Sequence, residues 1–157
     1  MTDPAVLADV LALEEAGFSV EERWSPTSWE SELSQPSLDV LGWHNHRILE
    51  LSKGESPNGD GLLGVIALRY GGNTVDLDRI VVDPRVRRQG VARELITAGL
   101  RRATDRGASE MILEVRTDNQ PAVELYRWFG FGDVIVRSDY YGPGADALVM
   151  SRRLEQG

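Results

Sequence analysis

Two side chains in the second half of the chain have the means to move protons. Glu114 interrupts the apolar run Met111-Ile112-Leu113-Glu114-Val115, so a carboxylate sits on a segment that reads as a central strand. Burying an isolated charge is costly, so this group must reach water, a partner or a substrate. It can pair with Arg116 or another Arg, or it can act as a general base whose pKa rises through partial burial. Tyr126 follows on a helical face with Ala122, Leu125 and Phe129, spaced i, i+3, i+4 and i+7. Its phenol is either a satisfied core group or a proton donor beside a leaving group.

A third constellation precedes them. Ile80-Val81-Val82 is a β-branched run, which suits a strand, and Asp83-Pro84 ends it. Arg87-x-x-Gly90-x-Ala92 then leads into a helical pattern of Ala92, Leu95, Ile96, Gly99, Leu100 and Ala103. The first amides of a helix have no internal partner and carry partial positive charge. Gly90 lacks a Cβ and Ala92 is nearly as small, so a phosphate can approach the backbone. Arg87, Arg88 and Arg93 add charge and forked donors. The ligand implied is a pyrophosphate; the bland alternative is an ordinary basic helix start. Neither the P-loop pattern nor G-x-G-x-x-G is present, and the only lysine is Lys53.

The elements that must position these groups can be read in order. Asp3-Pro4 opens a helix with Val6, Val10 and Leu13 on one face, and Gly17 stops it. Ser25 and Ser28 cap a short second helix, with Trp24 and Trp29 beside it. These tryptophans either line a substrate groove or pin a loop to the core. Strand is expected over 40–51, a loop over 53–61, and strand over 62–70. A hairpin turn follows at Gly71-Gly72-Asn73, then strand over 74–82. The central helix ends at Gly107, strand 111–115 follows, and Asn119 caps the next helix with Pro121 in its first turn. Strands 134–137 and 148–150 close the chain around the loop Asp139-Tyr140-Tyr141-Gly142-Pro143-Gly144. This order predicts one α/β (α+β) domain over residues 1–157, with a mixed sheet and one cleft.

Composition narrows the function. The chain has 157 residues, no cysteine and a net charge of −8. Residues 1–60 hold 3 basic and 12 acidic side chains, a net of −9, so residues 61–157 sum to +1. That balance disfavours nucleic-acid binding and suits a cationic polypeptide partner or a solubilising surface. No apolar run approaches a membrane span and no secretion signal opens the chain, so a cytoplasmic location is expected. Without cysteine there is no thiolate nucleophile or zinc-thiolate site. His44 and His46 alone make no metal site, so no metal is expected.

The basic turn after a hydrophobic strand and Asp-Pro resembles the acetyl-CoA signature of the GNAT acyltransferases. The segment Leu-Glu-Val-Arg-Thr-Asp-Asn-Gln-Pro-Ala-Val-Glu-Leu-Tyr-Arg-Trp-Phe-Gly-Phe is similar to the bacterial RimI-type ribosomal-protein alanine acetyltransferases. So are Arg-Trp-Ser-x-x-Ser-Trp near the start and Tyr-Tyr before Asp-Ala-Leu-Val-Met. The resemblance implies the GNAT fold, a mixed central sheet flanked by helices on both faces. It implies transfer of an acetyl group from acetyl-CoA to the N-terminal alanine of the eighteenth small-subunit ribosomal protein. By match, Glu114 is the base and Tyr126 the acid that restores the thiol, the two facing each other across the sulfur. Ile80, Val81 and Val82 contact the pantetheine arm, and Asn119 contacts the cofactor. The phosphate turn comprises Arg87, Arg88, Gln89, Gly90, Val91, Ala92 and Arg93. Trp24, Trp29, Tyr140 and Tyr141 line the peptide groove. Rival acceptors are other protein N-termini, lysines and small amines; a rival of another class is a non-catalytic acyl-CoA-binding or partner-binding module.

The chain also departs from the pattern. The family has a short strand before the first helix, absent here unless the start is late. Arg79 stands where a smaller polar residue is common. Ala92 replaces glycine, and an insertion is expected around Ser56 to Gly61.

Overall fold

A computed structural model describes residues 4–17, 24–55, 57 and 61–155. Two helices come first, α1 (Pro4–Gly17) and α2 (Pro26–Ser34). The strands β1 (Leu38–His44), β2 (Arg47–Glu50), β3 (Gly64–Gly71) and β4 (Thr74–Val82) follow. Then come α3 (Val91–Asp105), β5 (Glu110–Arg116), α4 (Gln120–Trp128), β6 (Gly132–Arg137) and β7 (Ala147–Arg153). The strands form one sheet in the order β2-β1-β3-β4-β5-β7-β6, in which only β4 and β5 run parallel. The α3 crossover is what a parallel neighbour requires. Among the described residues no strand precedes α1 and no helix is long and apolar enough to cross a membrane. The expected insertion falls largely outside the described residues.

Local chemistry explains most boundaries. Ser25 Oγ accepts from Ser28 N at 3.1 Å and Pro26 occupies the first turn of α2. Asn119 caps α4 in the same way, accepting from Ala122 N at 3.3 Å, with Pro121 in the first turn. The expected single strand over 40–51 is instead a hairpin. Asn45 and His46 turn the chain at φ 48° and 64°, and β1 pairs back on β2. The alternation His44-Asn45-His46 imitates a strand, but Asn and His tolerate the left-handed region a tight hairpin demands.

The sheet has two dressed faces. On one, Ile66, Leu68, Val75, Leu77, Met111 and Leu113 meet Leu95 and Ile96 of α3 and Val123 and Tyr126 of α4. On the other, Val40, Val65, Ala67 and Val81 meet Val6, Val10 and Leu13 of α1 and Trp29 and Leu33 of α2. Gly64 sets how closely α3 approaches: an added Cβ would lie 2.9 Å from Val91 Cγ1 and 3.0 Å from Leu95 Cδ1. Gly64→Ala should therefore destabilise by about 1–3 kcal/mol through overpacking. Urea unfolding would show this as a lower midpoint with an unchanged slope.

Two features of β4 prepare the site. Ala67 pairs with Arg79 but Leu68 pairs with Leu77, so Asp78 is an extra residue, a β-bulge. The parallel pairing of β4 with β5 covers only Thr74–Leu77 against Glu110–Leu113. Beyond that point the strands diverge, and among the described residues the edge of β4 from Asp78 to Val82 that faces β5 has no strand partner.

Candidate active site

Glu114 is the first residue of β5 past the paired register, at the lip of this opening. It is exposed. Side chains alternate along a strand, and Met111, Leu113 and Val115 pack toward α3 and α4. Glu114 therefore projects from the face that carries α1 and α2. Tyr126 belongs to the opposite layer: it is 6% exposed and packs edge-on against Phe131 at 5.8 Å between ring centres. The expectation that the two simply face each other is corrected accordingly. They stand on different faces of the sheet, and the β6–β7 loop links them electrostatically. Tyr140 hydrogen-bonds Glu114, which pushes its phenol pKa up. Tyr141 is raised by burial and then by the Glu114 charge. Tyr126 is pushed up to about 12, mainly by burial and then by Tyr141. Tyr140 and Tyr141 contact each other at 5.0 Å, and Arg116 lies 5.9 Å from the Tyr141 ring. Arg116 pairs with Asp118 at 3.1 Å.

The other end of the opening is the start of α3. Arg88 and Gly90 both adopt positive φ, 67° and 82°, which coils the turn and directs successive amides outward. Gly90 is the N-cap and no side chain caps the helix, unlike α2 and α4. An added Cβ at Gly90 would meet nothing within 4 Å, so the space before these amides is open. Asp83 fixes the preceding turn, its Oδ1 accepting from Arg85 N at 2.8 Å. An uncapped helix start in a basic turn fits an anionic pyrophosphate.

The expected contact residues divide by how they can act. Val81 and Val91 are buried, so only their main chains face a ligand; Ile80, Val82 and Ala92 are half-buried; Gln89 is exposed. Arg87 reaches Gly17 O at 3.3 Å, and Arg93 lies 4.7 Å from the Trp128 ring. Asn119 spends its side-chain oxygen on the α4 cap, leaving its Nδ2 without a partner among the described residues.

On the acceptor side the two tryptophans part. Trp29 is fully buried, with its Nε1 donating to Glu14 Oε1 at 3.2 Å. It is a core residue rather than a groove wall: α2 turns its ring inward. Trp24 is half-buried and lines an open groove of about 480 Å³ with Ser25, Thr27, Ser28, Ser31, Glu32, Gln35 and Arg69.

Sequence reasoning overlooked a row of carboxylates on this face. Glu32 pairs with Arg69, which also meets Asp78 at 3.0 Å. Asp78 is pushed up to about 7, first by burial and then by Glu32. Asp76 is raised by burial too, with Glu114 adding to the rise. For Asp78, the native carboxyl holds its proton up to about pH 7, whereas the unfolded one releases it near pH 3.9. Its contribution is thus full below the unfolded value and is lost as pH rises through about 7. The thermal-melt advantage of Asp78→Asn over the native chain should grow between about pH 4 and about pH 8.

The acetyltransferase (GNAT) family pattern matches residues 13–131. RimI, an N-alpha-acetyltransferase of Mycobacterium tuberculosis, is 34% identical over 89% of this chain and 82% of its own length. The ribosomal protein bS18-alanine N-acetyltransferase of Escherichia coli is 36% identical over 48% of this chain and 53% of its own. A crystal structure of the Escherichia coli ribosomal-protein-S18-alanine N-acetyltransferase superposes with a TM-score of 0.81 at 22% identity, covering 99% of this chain and 92% of that one. An uncharacterized Mycobacterium leprae protein, ML0378, is 31% identical over 97% of this chain, but the match spans only 39% of that longer protein. A mixed sheet that parts between its two parallel strands, an uncapped basic helix start and these matches agree: the chain belongs to the GNAT family of acetyltransferases.

Proposed function

We propose that this chain transfers the acetyl group of acetyl-CoA to the α-amine of an N-terminal alanine, with ribosomal protein bS18 as the acceptor. The observation that carries the reading is the opening between β4 and β5, with Glu114 at one lip and the uncapped start of α3 beyond the other. The acceptor follows from the RimI-type relatives.

Acetyl-CoA would supply an activated acyl carbon and a thiolate leaving group. Amides and guanidinium groups from Arg87 to Arg93 would hold its pyrophosphate, and the free edge of Ile80, Val81 and Val82 would bond its amide-bearing arm. Asn119 would donate from Nδ2. Glu114 takes the proton that the attacking amine gives up as the new N–C bond forms, directly or through one water. Tyr126 donates its phenolic proton toward the departing sulfur as the C–S bond breaks. With no cysteine in the chain, transfer is direct rather than through a thioester on the protein. Trp24, Tyr140 and Tyr141 line the path of the acceptor chain.

A substrate panel tests this. With acetyl-CoA, an Ala-starting bS18 peptide should be acetylated at its α-amine. The same peptide with a blocked N-terminus and a free lysine, and a polyamine, should release little thiol. Preference for the blocked peptide or the polyamine would overturn the acceptor. Stabilisation by coenzyme A without thiol release for any amine would overturn catalysis itself.

A further inference from the structure

Arg79 departs from the pattern that the rest of the chain follows, and the structure gives it a partner. Its guanidinium grips Glu14 with two bonds, Nε to Oε1 at 3.0 Å and Nη2 to Oε2 at 2.7 Å. Glu14 is 2% exposed. The same carboxylate accepts the Trp29 indole N–H at 3.2 Å and the Trp24 backbone N–H at 2.8 Å. Four donors thus converge on one buried anion, which joins α1, the start of α2 and β4. The Arg79 guanidinium also lies 5.1 Å from the Trp24 ring, and that ring meets Trp29 at 4.9 Å. On its other side Arg79 feels Tyr141, the residue electrostatically linked to both Glu114 and Tyr126.

Position makes this knot more than core packing. Arg79 immediately follows the bulged Asp78, where β4 leaves β5. Trp24 lines the open groove on the same face as Glu114. The Trp24 amide is spent on Glu14, and its ring is clasped between Arg79 and Trp29. A guanidinium fork gives two directed bonds, so it fixes orientation where a smaller polar residue could not.

We infer that Glu14 and Arg79 are positioning residues that hold the Trp24 wall against the opening and thereby set the fit of the acceptor chain. This deepens the acceptor reading above and rests on it. The bonds that Glu14 makes, to Arg79, Trp24 and Trp29, run toward the acceptor side of the opening. Their loss should therefore be felt by one substrate and not the other.

Removing one partner strands a buried charge and risks unfolding. The test is the double variant Glu14→Leu/Arg79→Met, because replacing a whole buried ion pair with apolar groups is often neutral in stability. Hydrogen exchange at Trp24 to Ser28 should quicken at least tenfold, roughly, in the folded double variant. The KM for the Ala-starting peptide should rise about tenfold while the KM for acetyl-CoA stays within about twofold. Arg79→Lys, with charge but no fork, should fall between. Unchanged exchange at Trp24 in the folded variant overturns the inference whatever the acceptor proves to be. Equal rises in both KM values overturn it too, since they would mark a merely structural role. If the native chain acetylates lysines or polyamines instead, the alanine reading fails; the KM split is then measured on that acceptor and judges this inference separately.

Discussion

Glu114→Gln should lower kcat/KM for the acceptor by about 10²–10⁴ near neutral pH, the usual range for a lost general base. Glutamine keeps the shape and a hydrogen-bond acceptor for Tyr140 but cannot take a proton. The site needs this group because an α-amine, with pKa about 7.7–8.0, is largely an ammonium below that range. The deficit should shrink as pH passes about 8, where solvent has already deprotonated the amine. Glu114 lies at the lip of the opening and away from the start of α3, so the KM for acetyl-CoA should stay within about twofold. A variant that keeps the native rate from about pH 6 to about pH 9 would remove Glu114 from the base role.

Tyr126→Phe should cost less and differently. The ring packs against Phe131 in the core layer, and phenylalanine preserves that packing, so stability should change by under about 1 kcal/mol. What disappears is the hydroxyl. Burial holds the Tyr126 phenol at about 12, so it stays protonated at every pH where the amine reacts. Its loss should thus lower kcat by about 10²-fold, the lower end for a lost general acid, at all pH values, without moving the limb of the profile. Rate against pH therefore separates the two residues: one defect fades with rising pH and the other does not. A Tyr126→Phe profile whose midpoint shifts would show that the phenol titrates with the base and is no simple donor.

The sequence shows the parts of this site more readily than their placement. The strand–turn–helix from Ile80 to Ala103 could be read because each step has a local cause: β-branched residues, Pro84, then a periodic apolar face. Gly90, singled out for its missing Cβ, also takes a positive φ. The apolar run around Glu114 marks its strand, yet not that the residue and Tyr126 lie on different faces of the sheet. That depends on where β4 and β5 part, and the parting follows from a bulge at Asp78 that has no local signature. Trp29 shows the same limit: a tryptophan beside a helix cap can face in or out, and only the buried Glu14 beneath it decides. Glu14 itself left a signal, since it lies four residues after Val10 on the apolar face of α1, where a carboxylate must find a cation. Arg79, noticed as a departure, is that cation.

The opening between β4 and β5 is tested most directly by coenzyme A binding, followed as backbone amide shifts in the native chain. The account predicts the largest changes along Ile80–Val82 and Arg88–Arg93, with smaller ones at Asn119 and Tyr126, and little at Ser31 to Gln35 in the groove beside α2. Changes concentrated in that groove, or spread over β1 and β2 with the start of α3 silent, would contradict it.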